Sequence, residues 1–327
     1  MKLVIPYIEG DGIGPEVINA TRQIISKVVD AEWLPIDKFD YDTIRKYGVC
    51  LKGPTQTPVG SGHRSYNVKL RQDLDLYACI RPISWYGNPS PVRDPQKLDV
   101  VVFRENTEDV YGGIEFDCGS EISEQLRQRF EIKYPCAIGI KVISEFCTKR
   151  LMKMACEYAM KNNRKHITVA HKGNIMKYTE GGFLRWCLEV AKDYPEIVVD
   201  SCICDAFFQN ALIHPERYDI VVAPNLNGDY ISDALAAQVG GVGISPGVNT
   251  NGVISVYEAT HGTAPDLVGK GLANPSSCLL SACMLLEDKG YVNESKKIKL
   301  SLINAIQDSF RSPKTTQDWV DAIIKNI

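Results

Sequence analysis

The amino-terminal stretch constrains this chain most. Residues 2–9 (KLVIPYIE) read as a buried strand, and Gly10-Asp11-Gly12-Ile13-Gly14 follows at once. Pro15 then opens a segment apolar at Val17, Ile18, Ile24, Ile25 and Val28. Proline suits the first turn of a helix, where its missing N–H goes unused. Strand, glycine turn and helix in that order make an α/β unit. The alternation recurs: 99–103, 167–170 and 219–222 are apolar runs of strand type, and 148–162, 180–192, 231–238 and 276–287 carry helical patterns. Between them, 112–136 has mixed polarity and suits an arm or lid. No repeat or Gly/Ser linker interrupts the chain, so any two domains pack tightly and can be discontinuous.

Composition narrows the function. At roughly 150 residues per domain, 327 residues suggest about two domains. With 37 Lys and Arg against 40 Asp and Glu, the net charge of −3 argues against a nucleic-acid protein. No apolar run approaches the roughly 18 residues of a membrane span. The apolar stretch at the N-terminus is too short for a signal peptide, so the expectation is a cytoplasmic protein. Eleven scattered cysteines without a C-x-x-C read as small, reduced, buried residues, with ligand spacings wrong for zinc. Cys202 and Cys204 read as alternate residues of one strand.

Several residues are candidates for chemistry. The cluster Gly10-x-Gly12-x-Gly14 departs from G-x-G-x-x-G because Pro15 follows the third glycine, and no strand ending in an acidic residue follows the helix. It reads as a tight turn that a cofactor can still approach closely. In Asn225-Leu226-Asn227-Gly228-Asp229-Tyr230-Ile231-Ser232-Asp233, a helix after Gly228 puts Asp229 and Asp233 one turn apart. Two such carboxylates either hold a hard divalent cation or stabilise a helix N-terminus. Asp205, beside Cys204 and Phe207, is a third carboxylate, either hydrogen-bonded or a ligand. Arg64, Arg71, Arg81 and Arg104 form a set: each alone suits an ion pair, and together they suit a polyanionic small molecule. Lys172 follows the strand ITVA, where open α/β sheets place ligands, and a lysine among like charges can act as a base near neutral pH. Tyr111 is a candidate proton donor.

The pattern resembles the isocitrate/isopropylmalate dehydrogenase family of β-decarboxylating dehydrogenases. The likeness runs in order through 8–17 (IEGDGIGPEV), 57–82, 103–115 (FRENTEDVYGGIE), 171–183 (HKGNIMKYTEGGF), 225–247 and 258–275 (EATHGTAPDLVGKGLANP). It implies an α/β fold that is not a Rossmann fold, with large and small domains, a central sheet and a dimer-forming arm. The implied division is 1–76 with 240–327 as the large, cofactor-holding domain. Residues 77–108 with 145–239 make the small domain with the dimer interface, and 109–144 the clasp. The resemblance implies that Arg71, Arg81 and Arg104 bind substrate carboxylates, and that Asp205, Asp229 and Asp233 ligate Mg²⁺ or Mn²⁺. Lys172 and Tyr111 serve the proton transfers. In a homodimer with shared active sites, Lys172 and Asp205 come from the second subunit.

Substrate and cofactor follow from finer positions. Ser65 and Asn67 match residues with which the isocitrate branch hydrogen-bonds the distal carboxylate. A polar lining there leaves unpaired donors against the alkyl group of isopropylmalate. The expected activity is oxidative decarboxylation of isocitrate to 2-oxoglutarate and CO₂, with homoisocitrate or 3-isopropylmalate as alternatives. A non-catalytic regulatory subunit is a further alternative, although Tyr111, Lys172 and the three aspartates are all present. Thr57, Glu258, His261, Gly262, Asp266, Leu267 and Asn274 match cofactor positions. Asp266-Leu267 stands where NADP-dependent members carry Lys-Tyr. A unit-charge pair about 4 Å apart is worth roughly 4 kcal/mol at an effective dielectric of about 20. Asp266 therefore predicts NAD, by repelling a 2′-phosphate. The tail 311–316 likewise lacks the Tyr and Arg that grip that phosphate. Two departures from the family stand out: 29–47 is abbreviated, and Gln56 replaces a common threonine.

Overall fold

The apolar runs become strands and the periodic segments helices. The computed structural model describes residues 2–57, 65–309 and 314–327; His63, Arg64 and Arg311 lie outside them. In chain order the strands are β1 (Leu3–Ile8), β2 (Ala31–Pro35), β3 (Val49–Lys52), β4 (Ala78–Ser84), β5 (Asp99–Glu105), β6 (Glu115–Phe116), β7 (Ile138–Gly139), β8 (His166–His171), β9 (Val198–Ile203), β10 (Ile220–Ala223), β11 (Pro246–Thr250) and β12 (Ser255–Ala259). The helices are α1 (Gly14–Ile25), α2 (Tyr41–Tyr47), α3 (Tyr66–Asp73), α4 (Glu121–Arg129), α5 (Glu145–Lys161), α6 (Glu180–Ala191), α7 (Cys204–Ile213), α8 (Asn225–Gln238), α9 (Ser276–Asp288), α10 (Val292–Ser309) and α11 (Thr316–Lys325).

One sheet of ten strands runs β2-β1-β3-β12-β11-β4-β5-β10-β8-β9. Both ends are parallel, while β11 and β4 in the middle pair antiparallel with their neighbours on either side. A doubly wound Rossmann sheet has no such reversal. The small ribbon β6–β7 stands apart from it.

Register sets the site. On β4 and β5, Cys79 pairs with Arg104 and Arg81 with Val102. Paired residues share a face, as do alternate ones along a strand, so Arg81 and Arg104 project from the same side. On that side Ile83, Val100 and Val102 pack with Ile231 and Leu235 of α8. The opposite face carries Val101 and Phe103 into a larger core with Leu151, Met152 and Ala155 of α5. Helix α8 begins at Asn225, six residues before the periodic apolar pattern shows it. Its first turn carries Asn, Gly and Asp for the site instead of core residues. Strand β9 ends at Ile203 and Cys204 already opens α7, so Cys202 and Cys204 do not alternate on one strand. All eleven cysteines are free; six are buried, and Cys118 is exposed. Among the described residues no helix is long and apolar enough to cross a membrane.

Candidate active site

Helix α8 lays two carboxylates over the two strand arginines. Gly228 makes this possible: a Cβ there would stand 2.7 Å from Cβ and Cγ of Arg104, so only glycine lets that side chain pass under the helix. Arg104, 1% exposed, donates through Nε and an NH₂ group to Asn225 Oδ1 at 3.0 and 2.7 Å and forms a close ion pair with Asp229. Arg81 donates to Ser232 Oγ at 2.6 Å and to Asp233 Oδ1 at 3.0 Å. Tyr111 completes the group, its hydroxyl donating to Asp229 Oδ2 at 2.6 Å and its ring lying 4.9 Å from the Arg104 guanidinium carbon.

The electrostatics follow from this packing. Burial pushes Asp229 up, but Arg104, the Tyr111 hydroxyl, Arg81 and Arg71 outweigh it and hold the carboxyl below its ordinary value. Asp233 is raised by burial and by the like charge of Asp229, against the pull of Arg81. Burial lifts the Tyr111 hydroxyl to about 12 although Arg104 opposes it. Both readings left open for these residues are visible together: the arginines make ion pairs, yet each guanidinium has more donors than those pairs use. Two carboxylates one turn apart, repelling each other, fit a hard divalent cation by their donor chemistry.

Arg71 belongs to a second cluster that sequence reasoning did not find. Lys52, 1% exposed at the end of β3, lies 2.5 Å from Glu258 Oε2. Arg71 lies 3.4 Å from Glu258 Oε1, to which Asn249 also donates at 2.6 Å. Burial disfavours the Glu258 charge, but Lys52 and Arg71 hold its carboxyl down at about 2. Glu258, expected at the cofactor, thus orients a substrate-candidate arginine. Only the tertiary pairing of β3 with β12 reveals Lys52, which reads in sequence as an ordinary surface lysine.

Lys172 and Asp205 sit elsewhere. Lys172 follows the end of β8 and makes a close ion pair with Asp205 in the first turn of α7. Both side chains reach solvent, at 33% and 70% exposure. Lys172 therefore faces a carboxylate, not the arginines, and it holds Asp205 below its ordinary value. Among the described residues no three His, Cys, Asp or Glu side chains gather as a metal-binding group. One chain therefore joins Asp229 with Asp233 and leaves Asp205 apart.

The remaining candidates line two facing loops. Thr57 Oγ1 lies 2.9 Å from Ser65 Oγ, and Thr55 Oγ1 donates to Asn67 Oδ1 at 2.7 Å, so the loop after β3 meets the start of α3. Opposite it, His261 Nδ1 bonds Gly262 O at 2.8 Å while its Nε2 is buried without a partner among the described residues. A Cβ on Gly262 would meet nothing within 4 Å. Asp266 and Leu267 form a short turn with Pro265, and Asp266 is exposed. Asn274 Oδ1 accepts at 2.9 Å from the backbone N–H of Ser276, the first residue of α9. The glycine turn braces these loops: Gly12 has φ +63° and its Cβ would stand 2.2 Å from Thr263 O, while Asp11 N donates to Pro54 O at 2.7 Å. An orphaned imidazole nitrogen and an unobstructed glycine suit a ligand laid between the loops. A groove of about 750 Å³ between α5 and α6 contains none of these residues.

Comparison with known proteins decides the family. The model of the isocitrate/isopropylmalate dehydrogenase family matches residues 27–323. The chain belongs to the isocitrate/isopropylmalate dehydrogenase family. Among curated relatives, the isocitrate dehydrogenase [NADP] of Streptococcus salivarius is 44% identical over 96% of this chain and 90% of that protein. That of Helicobacter pylori is 40% identical over 97% and 88%. Among solved structures, isocitrate dehydrogenase from Methylococcus capsulatus superposes with a TM-score of 0.89 at 34% identity, covering 99% of both chains.

These relatives correct the expectation of NAD, because they are named for NADP. The physical reason lies in where Asp266 sits. A pair about 4 Å apart at a dielectric of about 20 presumes a carboxylate held against the phosphate, whereas Asp266 stands on an exposed turn, where water and salt screen its repulsion of a phosphate.

Proposed function

We propose that this family member catalyses the oxidative decarboxylation of isocitrate to 2-oxoglutarate and CO₂, with NADP as hydride acceptor. The observation that carries this reading is the Tyr111–Asp229–Arg104 group beside Arg81 and Asp233. A proton donor, cationic groups for carboxylates and paired acidic ligands share one helix face. The activity named for the relatives supports it.

Arg71, Arg81 and Arg104 hold the substrate carboxylates, and Ser65 and Asn67 offer polar partners to the distal one. Asp229 and Asp233, with Asp205 of the partner subunit, would hold Mg²⁺ or Mn²⁺, and the bound ion would supply Lewis-acid chemistry to the substrate oxygen. Lys172 would accept the proton of the substrate hydroxyl, and a bound nicotinamide would supply the acceptor for the hydride on the carbon bearing that hydroxyl. Tyr111 returns a proton to the carbon that loses CO₂. With its hydroxyl lifted to about 12, it keeps that proton at neutral pH. Thr57, Glu258, His261, Gly262, Asp266, Leu267 and Asn274 stand around the dinucleotide, Glu258 acting through Lys52 and Arg71.

The working form we propose is a cytoplasmic homodimer in which each chain lends Lys172 and Asp205 to its partner. Exposed apolar side chains support a partner there: Ile175 and Tyr178 beside Lys172, and Leu212 and Ile213 at the end of α7. The division proposed is 1–76 with 240–327, 77–108 with 145–239, and a clasp over 109–144. Steady-state kinetics with isocitrate, homoisocitrate and 3-isopropylmalate, each with NADP and Mn²⁺, test the activity. Isocitrate gives the highest kcat/KM, and a chelator abolishes turnover. Activity that survives full chelation, or preference for another acid, overturns the reading.

A further inference from the structure

One buried ion cluster remains outside the chemistry so far. Lys141, two residues beyond β7, has its ammonium 3.0 Å from Asp109 Oδ1 and 2.9 Å from Glu180 Oε1. The carboxylates are 1% and 0% exposed. Burying such charges is costly unless they are paired. Burial disfavours the Lys141 ammonium as well, but Glu180 and Asp109 more than offset that and raise its pKa above the ordinary value. The Lys141 ammonium thus keeps its charge throughout the physiological range.

What the two carboxylates hold besides Lys141 gives the cluster its meaning. Glu180 Oε2 accepts from the backbone N–H of Lys172 and from Asn227 Nδ2, the latter at 2.8 Å. Asp109 Oδ2 accepts from the backbone N–H of Leu226 at 3.0 Å. Leu226 and Asn227 lie in the first turn of α8, directly before Gly228 and Asp229. Asp109 also begins the turn that carries Tyr111, with φ +70°, a conformation rare for a residue other than glycine. One ammonium therefore ties together the loop of Lys172, the turn of Tyr111 and the helix end that presents Asp229.

We propose that Lys141 is a positioning residue that fixes both proton-transfer groups, Lys172 and Tyr111, against the start of α8. The roles of those two groups rest on the function proposed above. Each chain lends Lys172 to its partner in that reading. The cluster then also locks the base given to one site against the acid kept in the other.

Lys141→Met in the full-length protein tests this. Displacing both groups by an ångström or so lowers kcat about 100-fold. KM for isocitrate stays within about threefold, because Arg71, Arg81 and Arg104 lie outside the cluster. In a Lys172→Met background the same change costs well under about 100-fold, because only its effect on Tyr111 is left to lose, the sign of residues that act as a unit. Lys141→Arg, which keeps every charge, restores kcat to within about tenfold of wild type. Should Lys141→Met fail to fold, Lys141→Met with Glu180→Gln removes one uncompensated carboxylate, and its kcat stays low. Amide hydrogen exchange reads the proposal without the reaction: the Lys172 and Leu226 amides exchange faster in the Lys141 variants than in wild type. A folded variant with wild-type kcat, losses that multiply with Lys172→Met, or unchanged exchange at both amides overturns the proposal. Failure of the isocitrate assay with wild type, with exchange altered as expected, removes the activity and leaves the positioning role standing.

Discussion

Two regions of the molecule treat charge differently. In one, Arg81 and Arg104, 8% and 1% exposed, meet the half-buried Asp229 beside α8 and, at its rim, the exposed Asp233. In the other, Asp266 stands on a turn open to solvent. In the buried region the arginines meet carboxylates of the same chain, a pairing that sequence reasoning did not make, and in the exposed region the charge of Asp266 misassigned the cofactor. Coulombic energy scales inversely with the local dielectric. The same formal charge is therefore decisive under a helix and nearly silent on a loop. Burial, which the sequence does not state, determines how much a charge can explain.

Lys172 gives the sharpest way to break this comparison. It is partly exposed and its salt bridge adds little stability, yet Lys172→Met should cost about 10²–10⁴ in kcat as a lost general base, with thermal unfolding almost unmoved. Stopped-flow measurement of hydride transfer checks it. A variant that transfers hydride at near-normal rate would remove Lys172 from the reaction. Large chemistry from an exposed residue would limit the lesson to electrostatic preference and exempt proton transfer, which needs reach more than burial.

Glu258 sharpens the buried side. Its carboxyl is held at about 2 against an ordinary 4.5. A depressed folded pKa means stability that is fully present above about pH 4.5 and is lost as pH falls toward 2. The size of that contribution is about 3 kcal/mol. Urea unfolding of wild type between pH 5 and pH 2 should therefore steepen in pH dependence relative to Glu258→Gln. Parallel profiles for the two proteins would show that Lys52 and Arg71 do not hold the carboxylate in solution.

The fold was legible where one strand or helix carries its own pattern. The runs at 99–103, 167–170 and 219–222 sit inside β5, β8 and β10, apart from the single residue Asp219. Insertion of antiparallel β4 and β11 between two parallel blocks was not legible, because that pairing joins segments far apart in sequence. The first turn of α8 was hidden for a related reason. Gly228 reads as a helix breaker, and only the Arg104 side chain passing beside it explains the choice. The same limit hid Lys141: it lies 32 residues from Asp109 and outside every block that carries the family resemblance. In the site, the aspartate pair and the strand arginines could be picked from spacing. Lys52, whose charge is spent entirely inside the protein, gave no signal.

Asp266 yields the smallest effect and the most direct test of the comparison. If screening silences it, Asp266→Asn should change kcat/KM for NADP by less than about fivefold, since exposed charge interactions are worth about 1 kcal/mol or less. The change should also vanish as ionic strength rises from about 0.01 to 1 M, where the screening length falls from about 30 to 3 Å. The assay is kcat/KM for NADP at several salt concentrations for both proteins. A tenfold or larger gain that persists at high salt would place the carboxylate against the 2′-phosphate in a drier setting than this turn provides. The buried and exposed regions would then obey one rule, and the difference in dielectric drawn between them would fail.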